Sequence, residues 1–110
     1  NGYEENPRTL KIYELIGKIC DNKSILLSEP DKLLVATSCA TSLRKGKLVE
    51  IISNDSDVGR IMSEIESYLK FNPYVKEKTF PNGESLSVHV NRFFRISNRY
   101  LAITKSSIKL

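Results

Sequence analysis

The sequence predicts an α+β fold in which an antiparallel sheet of about five or six strands has two helices packed on one face. Residues 7–20 and 54–71 each repeat apolar side chains with the 3.6-residue period of an α-helix. After Pro73 the chain instead alternates apolar and polar residues, which is typical of half-buried strands. A chain of 110 residues is long enough to bury one core, so we expect residues 1–110 to form a single domain.

The clearest local pattern lies in residues 54–71, and it predicts a helix. Its apolar residues fall on one stripe: Val58, Ile61, Met62, Ile65 and Leu69. At the start of this segment, the N-cap candidates are Asn54, Asp55 and Ser56, and Asp57 suits the positive end of the helix dipole. Pro73 disfavours helical geometry in the residue before it, so we expect Asn72 and Pro73 to stop the helix after Phe71.

A second helix is predicted over residues 7–20. Asn6 can cap it, and Pro7 suits the first helical position. The apolar stripe consists of Ile12, Leu15, Ile16, Ile19 and Cys20. Gly17 should cost roughly 1 kcal/mol relative to Ala, so we expect another backbone to approach closely there. Residues 21–23 are predicted to be the turn that ends the helix.

Short strands are predicted between these two helices. Residues 24–28 form an apolar run of strand length. Residues 32–43 fit two structures, because their alternation suits a strand, whereas Ser28 before them and Gly46 after them suit the ends of a helix. The strand is favoured because more residues of the segment fit one face of a strand than fit one stripe of a helix. Residues 48–53 are predicted to be a strand under either interpretation.

The last third of the chain has the pattern of strands separated by turns. Residues 74–80 are predicted to be one strand. Residues 86–96 are predicted to be another, running either directly through Arg92 or with a bulge there. Residues 100–104 are predicted to be the last hairpin arm. Residues 105–110 either extend the sheet edge or form a loose tail.

Composition excludes several classes of protein. No apolar run approaches the ~18 residues of a membrane span, and the first ten residues lack the segments of a signal peptide. Since the chain does not begin with Met, we expect a fragment or a processed product.

Cys20 and Cys39 form no C-x-x-C pair and are interpreted as half-buried free thiols of a reducing compartment, a disulfide being the alternative. The predicted location is therefore intracellular, in the cytoplasm or the nucleus.

The sequence carries no recognisable catalytic or cofactor motif. His89 is the only histidine, and neither cysteine has an identifiable activating base. All five glycines are isolated, which argues against a phosphate-binding loop. Asp55 and Asp57 are interpreted as helix caps rather than metal ligands, and Glu64 and Glu66 as a solvated face. We therefore expect no catalytic residues, no metal and no cofactor.

One segment resembles a known family. Residues 15–25, LIGKICDNKSI, are similar to the helix-to-strand junction of LAGLIDADG homing endonucleases, and the predicted order of elements is also similar to theirs. In that family an acidic residue at the helix end binds a metal that cleaves DNA. Here Asn22 stands at the aligned position, Asp21 lies one residue earlier, and Lys23 replaces the following Gly. The resemblance thus implies an inactive, degenerate DNA-binding relative.

The net charge of +4 is concentrated towards the end of the chain. Residues 1–55 hold eight basic and eight acidic side chains, whereas residues 56–110 hold nine and five. From Ser85 onward there are five basic residues and no acidic one. A surface with this bias attracts anionic partners.

Residues 91–100 interleave three arginines with three aromatic side chains. Proteins that bind single-stranded nucleic acid stack bases on sheet-borne aromatics, worth about 1–3 kcal/mol per base, and place basic residues along the phosphates. The candidate nucleic-acid-binding residues are His89, Arg92, Phe93, Arg95, Arg99, Tyr100 and Lys105. If the strand runs without a bulge, His89, Phe93 and Arg95 share one face of the sheet.

These observations lead to two hypotheses. The first is a non-catalytic binding module whose basic C-terminal strands contact an anionic partner, with nucleic acid favoured. The second is a protein-interaction or assembly domain of a larger complex, which would pair through an exposed edge near residues 105–110. The degenerate LAGLIDADG-like DNA-binding domain is a more remote alternative.

Overall fold

The computed structural model describes residues 6–46, 48–53, 55–81, 86–96 and 99–109. Its elements in chain order are α1 (Pro7–Lys23), α2 (Glu29–Lys45), β1 (Val49–Ile52), α3 (Ser56–Phe71), α4 (Pro73–Thr79), β2 (Ser87–Ile96) and β3 (Arg99–Lys109). The protein is therefore a mostly helical small domain. Among the helices that the structure describes, none is both long enough and apolar enough to cross a membrane.

The predicted fold class was wrong. The described residues between 6 and 81 contain four helices and one strand, β1, which has no strand partner within that range and forms no sheet there. Instead of an antiparallel sheet of five or six strands, β1 pairs in parallel with β2, and β2 pairs antiparallel with β3. Parallel strands require a crossover connection. α3 and α4 lie in that connection, between β1 and β2.

α1 begins as predicted but continues beyond Cys20 to Lys23. Asn6 Oδ1 accepts hydrogen bonds from the backbone N–H groups of Arg8 (2.9 Å) and Thr9 (3.3 Å). Ser24 ends the helix in the left-handed conformation, with φ of 54°, and its N–H donates to the Cys20 carbonyl. This C-cap satisfies a carbonyl of the last turn, so residues 21–23 stay helical instead of forming the predicted turn.

Residues 24–28 do not form the predicted strand. Burial does alternate there, because Ile25 and Leu27 are buried whereas Leu26 is 87 % exposed. The segment is an extended connection between α1 and α2 that places two side chains in the core. The order of elements that supported the LAGLIDADG resemblance is therefore absent, since a second helix follows α1.

Residues 32–43 are helical, so the favoured prediction of a strand was wrong. Ser28 Oγ accepts the N–H of Asp31 at 3.3 Å, and Gly46 is the C-cap with φ of 62°, as the helical alternative requires. α2 contacts α1, β1 and β2, and it is consequently buried on more than one side. Its buried residues are Val35, Ala36, Ser38, Cys39, Ala40 and Ser42.

α3 confirms the predicted helix and its stripe. Asp55 is the N-cap, and the buried residues include Val58, Ile61, Met62, Ile65 and Leu69. The helix ends at Phe71, and Asn72 is its C-cap. Beyond it, Pro73 begins α4 instead of the strand predicted over residues 74–80, because the fixed φ of proline suits the first helical turn.

The strand predicted at residues 48–53 is present as β1, and β2 lies within residues 86–96. The register of β2 and β3 shifts between Arg92 and Phe93, where the pairing skips Ile103. The bulge therefore lies in β3 and not in the strand through Arg92 where the sequence allows one. β3 is longer than the predicted arm and forms one edge of the β1-β2-β3 sheet. Residues 105–109 therefore extend that edge, and Leu110 lies outside the described residues.

One hydrophobic core joins the helices and the sheet. Its largest fully buried side chains include Ile12, Ile16, Ile19, Ile61, Met62, Ile65, Leu69, Phe80 and Leu86. Gly17 lies in α1, and a Cβ built on it would meet no atom of a neighbouring element within 4 Å among the described residues. The expectation that another backbone approaches closely at Gly17 was therefore wrong.

Candidate nucleic-acid interface

The basic end of the chain forms an antiparallel pair of strands, β2 and β3, within the three-stranded sheet, and we call this pair the basic ribbon. The strands have 10 and 11 residues. At ~3.3 Å per residue, the ribbon is roughly 30 Å long. The two strands contain five basic residues and no acidic one: Arg92, Arg95, Arg99, Lys105 and Lys109. The ribbon thus carries charge of one sign along its whole length.

The register spreads these basic residues over the ribbon. From one end to the other, their backbone pairings are Arg99 with Ile96, Arg95 with Tyr100, Arg92 with Thr104, Lys105 with Asn91, and Lys109 with Ser87. Basic positions therefore occur at both ends and in the middle. An extended polyanion is the kind of partner that such a distribution complements.

All seven sequence-predicted site residues belong to the ribbon. His89, Arg92, Phe93 and Arg95 lie in β2, and Arg99, Tyr100 and Lys105 lie in β3. Their side chains lie outside what the structure describes. The shift in pairing between Arg92 and Phe93 skips Ile103, so the extra residue lies in β3 and the backbone of β2 runs from His89 to Arg95 without an inserted residue. A strand without a bulge was the condition for a common face of His89, Phe93 and Arg95, and the backbone of β2 meets that condition. The binding role of the seven residues stays a prediction.

Two exposed aromatic residues mark the junction of α3 and α4, which we call the aromatic corner. Phe71 is the last residue of α3 and is 81 % exposed, and Tyr74 lies in the first turn of α4 and is 77 % exposed. Burying a side chain such as Phe contributes about 1.5–3 kcal/mol, and Phe71 forgoes most of that contribution. Charged residues near it in the chain are Lys70, Lys76, Glu77 and Lys78.

Sequence reasoning did not identify the aromatic corner. Phe71 follows Leu69 by two residues and therefore falls off the buried stripe of α3, which is the signal that could have identified it. Tyr74 carries no comparable signal, because the sequence predicts a strand there.

A cleft of about 180 Å³ opens beside Phe71, between the C-terminal ends of α1 and α3, and we call it the corner cleft. It is lined by Ile19, Asn22, Lys23, Glu64, Ser67, Tyr68, Phe71 and Asn72. Asn72 Nδ2 donates to the Tyr68 carbonyl at 2.8 Å, which orients the Asn72 amide. Lys23 Nζ and Glu64 Oε2 form an ion pair at 3.9 Å. The lining thus combines aromatic, amide, hydroxyl and charged groups.

A larger and more apolar cleft of about 440 Å³ lies between the first turns of α1 and α2, and we call it the apolar cleft. It is lined by Thr9, Leu10, Tyr13, Glu29, Pro30 and Leu33. Leu10 is 41 % exposed. An apolar concave surface of this size suits a hydrophobic side chain of a partner.

Both cysteines are free, as predicted, and they are buried rather than half-buried. Burial raises the pKa of the Cys39 thiol to about 12. Burial also raises the pKa of the Cys20 thiol, although Lys32 acts against this shift. Because the thiolate is the reactive form, neither environment activates a cysteine as a nucleophile.

Three of the carboxylates singled out in the sequence have structural partners. Asp55 Oδ1 accepts the N–H of Asp57 at 2.9 Å, so Asp55 caps α3 as predicted. Glu66 pairs with Lys70 at 3.6 Å along α3, while Glu64 pairs with Lys23. Within the described ranges, no three His, Cys, Asp or Glu side chains converge in a way that could hold a metal ion.

Comparison of the chain with protein-family models, with curated proteins and with solved structures found no match. The candidate interface therefore rests on the geometry and charge of this chain.

Proposed function

We propose that this protein is a non-catalytic module that binds nucleic acid through its basic ribbon. The observation that carries the proposal is the presence of five basic residues and no acidic one in two long paired strands. Nucleic acid presents regularly spaced phosphates, and basic side chains that neutralise them release counterions and thereby drive binding. The free thiols Cys20 and Cys39 suit a reducing intracellular compartment, the cytoplasm or the nucleus.

The mechanism predicts a strong dependence on salt. Each phosphate contact contributes about 0.7–0.9 to the slope of log affinity against log salt concentration. If all five basic residues of the ribbon contact phosphates, the slope reaches roughly 3.5–4.5. Binding is then expected to weaken by about a hundredfold or more between about 50 mM and about 200 mM salt.

Fluorescence anisotropy with labelled DNA and RNA of about 20 nucleotides, at both salt concentrations, tests the proposal. The variant Arg95→Ala/Arg99→Ala removes two charges from the ribbon, and we expect its affinity to fall at least about tenfold. The matched control is Lys11→Ala/Lys18→Ala, which removes two exposed charges from α1. Affinity that is undetectable at low salt, or that does not change with salt, would contradict the proposal.

Assembly with another protein chain is a second candidate function, and the apolar cleft is the observation that favours it. Self-association is its simplest form. Leu10→Glu places a charge in this cleft, so we expect it to abolish a dimer detected by sedimentation velocity. Leu26→Glu is the control, since Leu26 is exposed and is not part of the cleft. A strictly monomeric wild-type protein at high concentration would weigh against self-association.

A further inference from the structure

The exposure of Phe71 is not required by the fold. α3 ends at this point, with Asn72 as its C-cap and Pro73 starting the next helix. A polar residue could occupy the last helical position equally well, because the Phe71 ring is 81 % exposed. The ring instead forms part of the wall of the corner cleft. An aromatic ring beside a cleft suits a flat aromatic ligand that can stack on it.

The polar groups of the corner cleft suit the edge of a nucleobase. The Asn22 amide offers donors and an acceptor, and the Ser67 hydroxyl offers both. Asn72 uses its Nδ2 group for the Tyr68 carbonyl and keeps its Oδ1 as an acceptor. Bases splayed out of a strand are recognised by this combination of an aromatic surface with amide and hydroxyl groups.

Two lysines beside the corner cleft are each held by a weak ion pair. Lys23 is paired with Glu64 at 3.9 Å, and Lys70 with Glu66 at 3.6 Å. Both lysine side chains are more than half exposed, and ion pairs of this kind contribute little to stability. A phosphate can therefore replace the carboxylate at either ammonium group, which requires Glu64 or Glu66 to move away from its lysine.

We propose that the corner cleft binds one unpaired base of a single-stranded nucleic acid, stacked on Phe71. Asn22 and Ser67 contact the edge of the base, and Lys23 or Lys70 contacts the adjacent phosphate. Tyr74 provides a second ring for a neighbouring base. This inference rests on the proposed function and specifies its substrate class as single strands. A duplex keeps its base faces stacked and cannot use the corner.

Two substitutions of Phe71 test the inference with single-stranded and duplex DNA of the same sequence. We expect Phe71→Ala to weaken single-strand binding about tenfold and to leave duplex binding unchanged. Because the chain contains no Trp, Phe71→Trp introduces a single fluorescent reporter at the site. Its emission should be quenched by the single strand and unaffected by the duplex. Leu26→Ala is the matched control, because Leu26 is 87 % exposed and does not line the cleft.

The outcomes separate this inference from the proposed function. If the wild type binds single strands and Phe71→Ala binds them equally well, the inference is wrong and the proposed function stands. Equal weakening of single-strand and duplex binding by Phe71→Ala would also overturn it. If the wild type binds neither form at low salt, the proposed function fails and the inference fails with it. A loss confined to the single strand, together with quenching of the introduced tryptophan, supports the inference.

Discussion

Cys39 shows how burial alone sets the chemistry of a single side chain. It is fully buried in α2, and desolvation raises the pKa of its thiol to about 12 from the ordinary 9.0. Only the ionised form is penalised by the apolar surroundings, so the thiol stays neutral at neutral pH. A cysteine in this state is a small core residue and not a nucleophile.

High pH should therefore destabilise the protein through Cys39. The pKa of Cys39 in the folded state lies above its value in the unfolded state. The contribution of this group to the free energy of unfolding is therefore complete below about pH 9 and is lost as the pH rises towards 12. At about pH 10.5 we expect the free energy of unfolding to fall by about 2 kcal/mol through this group. Urea unfolding of the wild type and of Cys39→Ala, at neutral pH and at high pH, measures the difference. Equal pH dependence in the two proteins would contradict it.

Asp55 is a cap, and this role makes a second prediction at the scale of one residue. Asp55→Ala removes the acceptor of the Asp57 N–H, so we expect a loss of about 1 kcal/mol in the free energy of unfolding. Ser63→Ala, at an exposed position inside the same helix, is the control.

Thermal unfolding should also be insensitive to added calcium. Stabilisation of the wild type by calcium, lost in Asp55→Ala, would show that Asp55 is a metal ligand instead.

Among the elements, α1 and α3 could be predicted from sequence, whereas α2 could not. The caps and stripes of α1 and α3 are local, and each helix buries mainly one side. In α2, small polar residues are buried as well, because their own helix satisfies them. Ser38 Oγ donates to the Leu34 carbonyl at 2.8 Å, and Ser42 Oγ donates to the Cys39 carbonyl at 3.0 Å. Burial on several sides removes the stripe on which a sequence-based prediction depends.

Two glycines at different places in helices should respond oppositely to the same substitution. Gly17 lies inside α1 with open space at its Cβ position, so we expect Gly17→Ala to stabilise the protein by about 1 kcal/mol. Gly46 has a φ of 62° as the C-cap of α2, so Gly46→Ala should destabilise it by about 1 kcal/mol or more. Chemical denaturation measures both changes. Shifts of the same sign would contradict the assigned positions.

At the scale of the whole molecule, the sheet depends on residues far apart in the chain. Val49 of β1 is paired with Val88 of β2, and α3 and α4 lie between them. A local sequence pattern does not show which distant strands pair. The antiparallel arrangement predicted from sequence was therefore wrong for β1. The corner cleft has the same origin, because the C-terminal end of α1 meets that of α3.

Two phenylalanines test where the stability of the whole molecule lies. Phe80 is 1 % exposed and belongs to the common core, whereas Phe71 is 81 % exposed. We expect Phe80→Ala to cost about 3–5 kcal/mol, a large part of the total stability of a small domain. Phe71→Ala should stay within about 0.5 kcal/mol. Circular dichroism during thermal unfolding measures both, and similar losses would contradict the observed packing.

The sequence by itself determined the features that depend on neighbours within a few residues. These are the N-caps of α1 and α3, the apolar stripe of α3 and the one-sided charge of residues 85–110. Only the tertiary structure decided that residues 32–43 and 73–79 are helical and that β1 runs parallel to β2. It also placed Phe71 beside Asn22 and Ser67 in one cleft. The physical reason is that burial and strand pairing depend on segments distant in the chain, and those long-range contacts override weak local propensity.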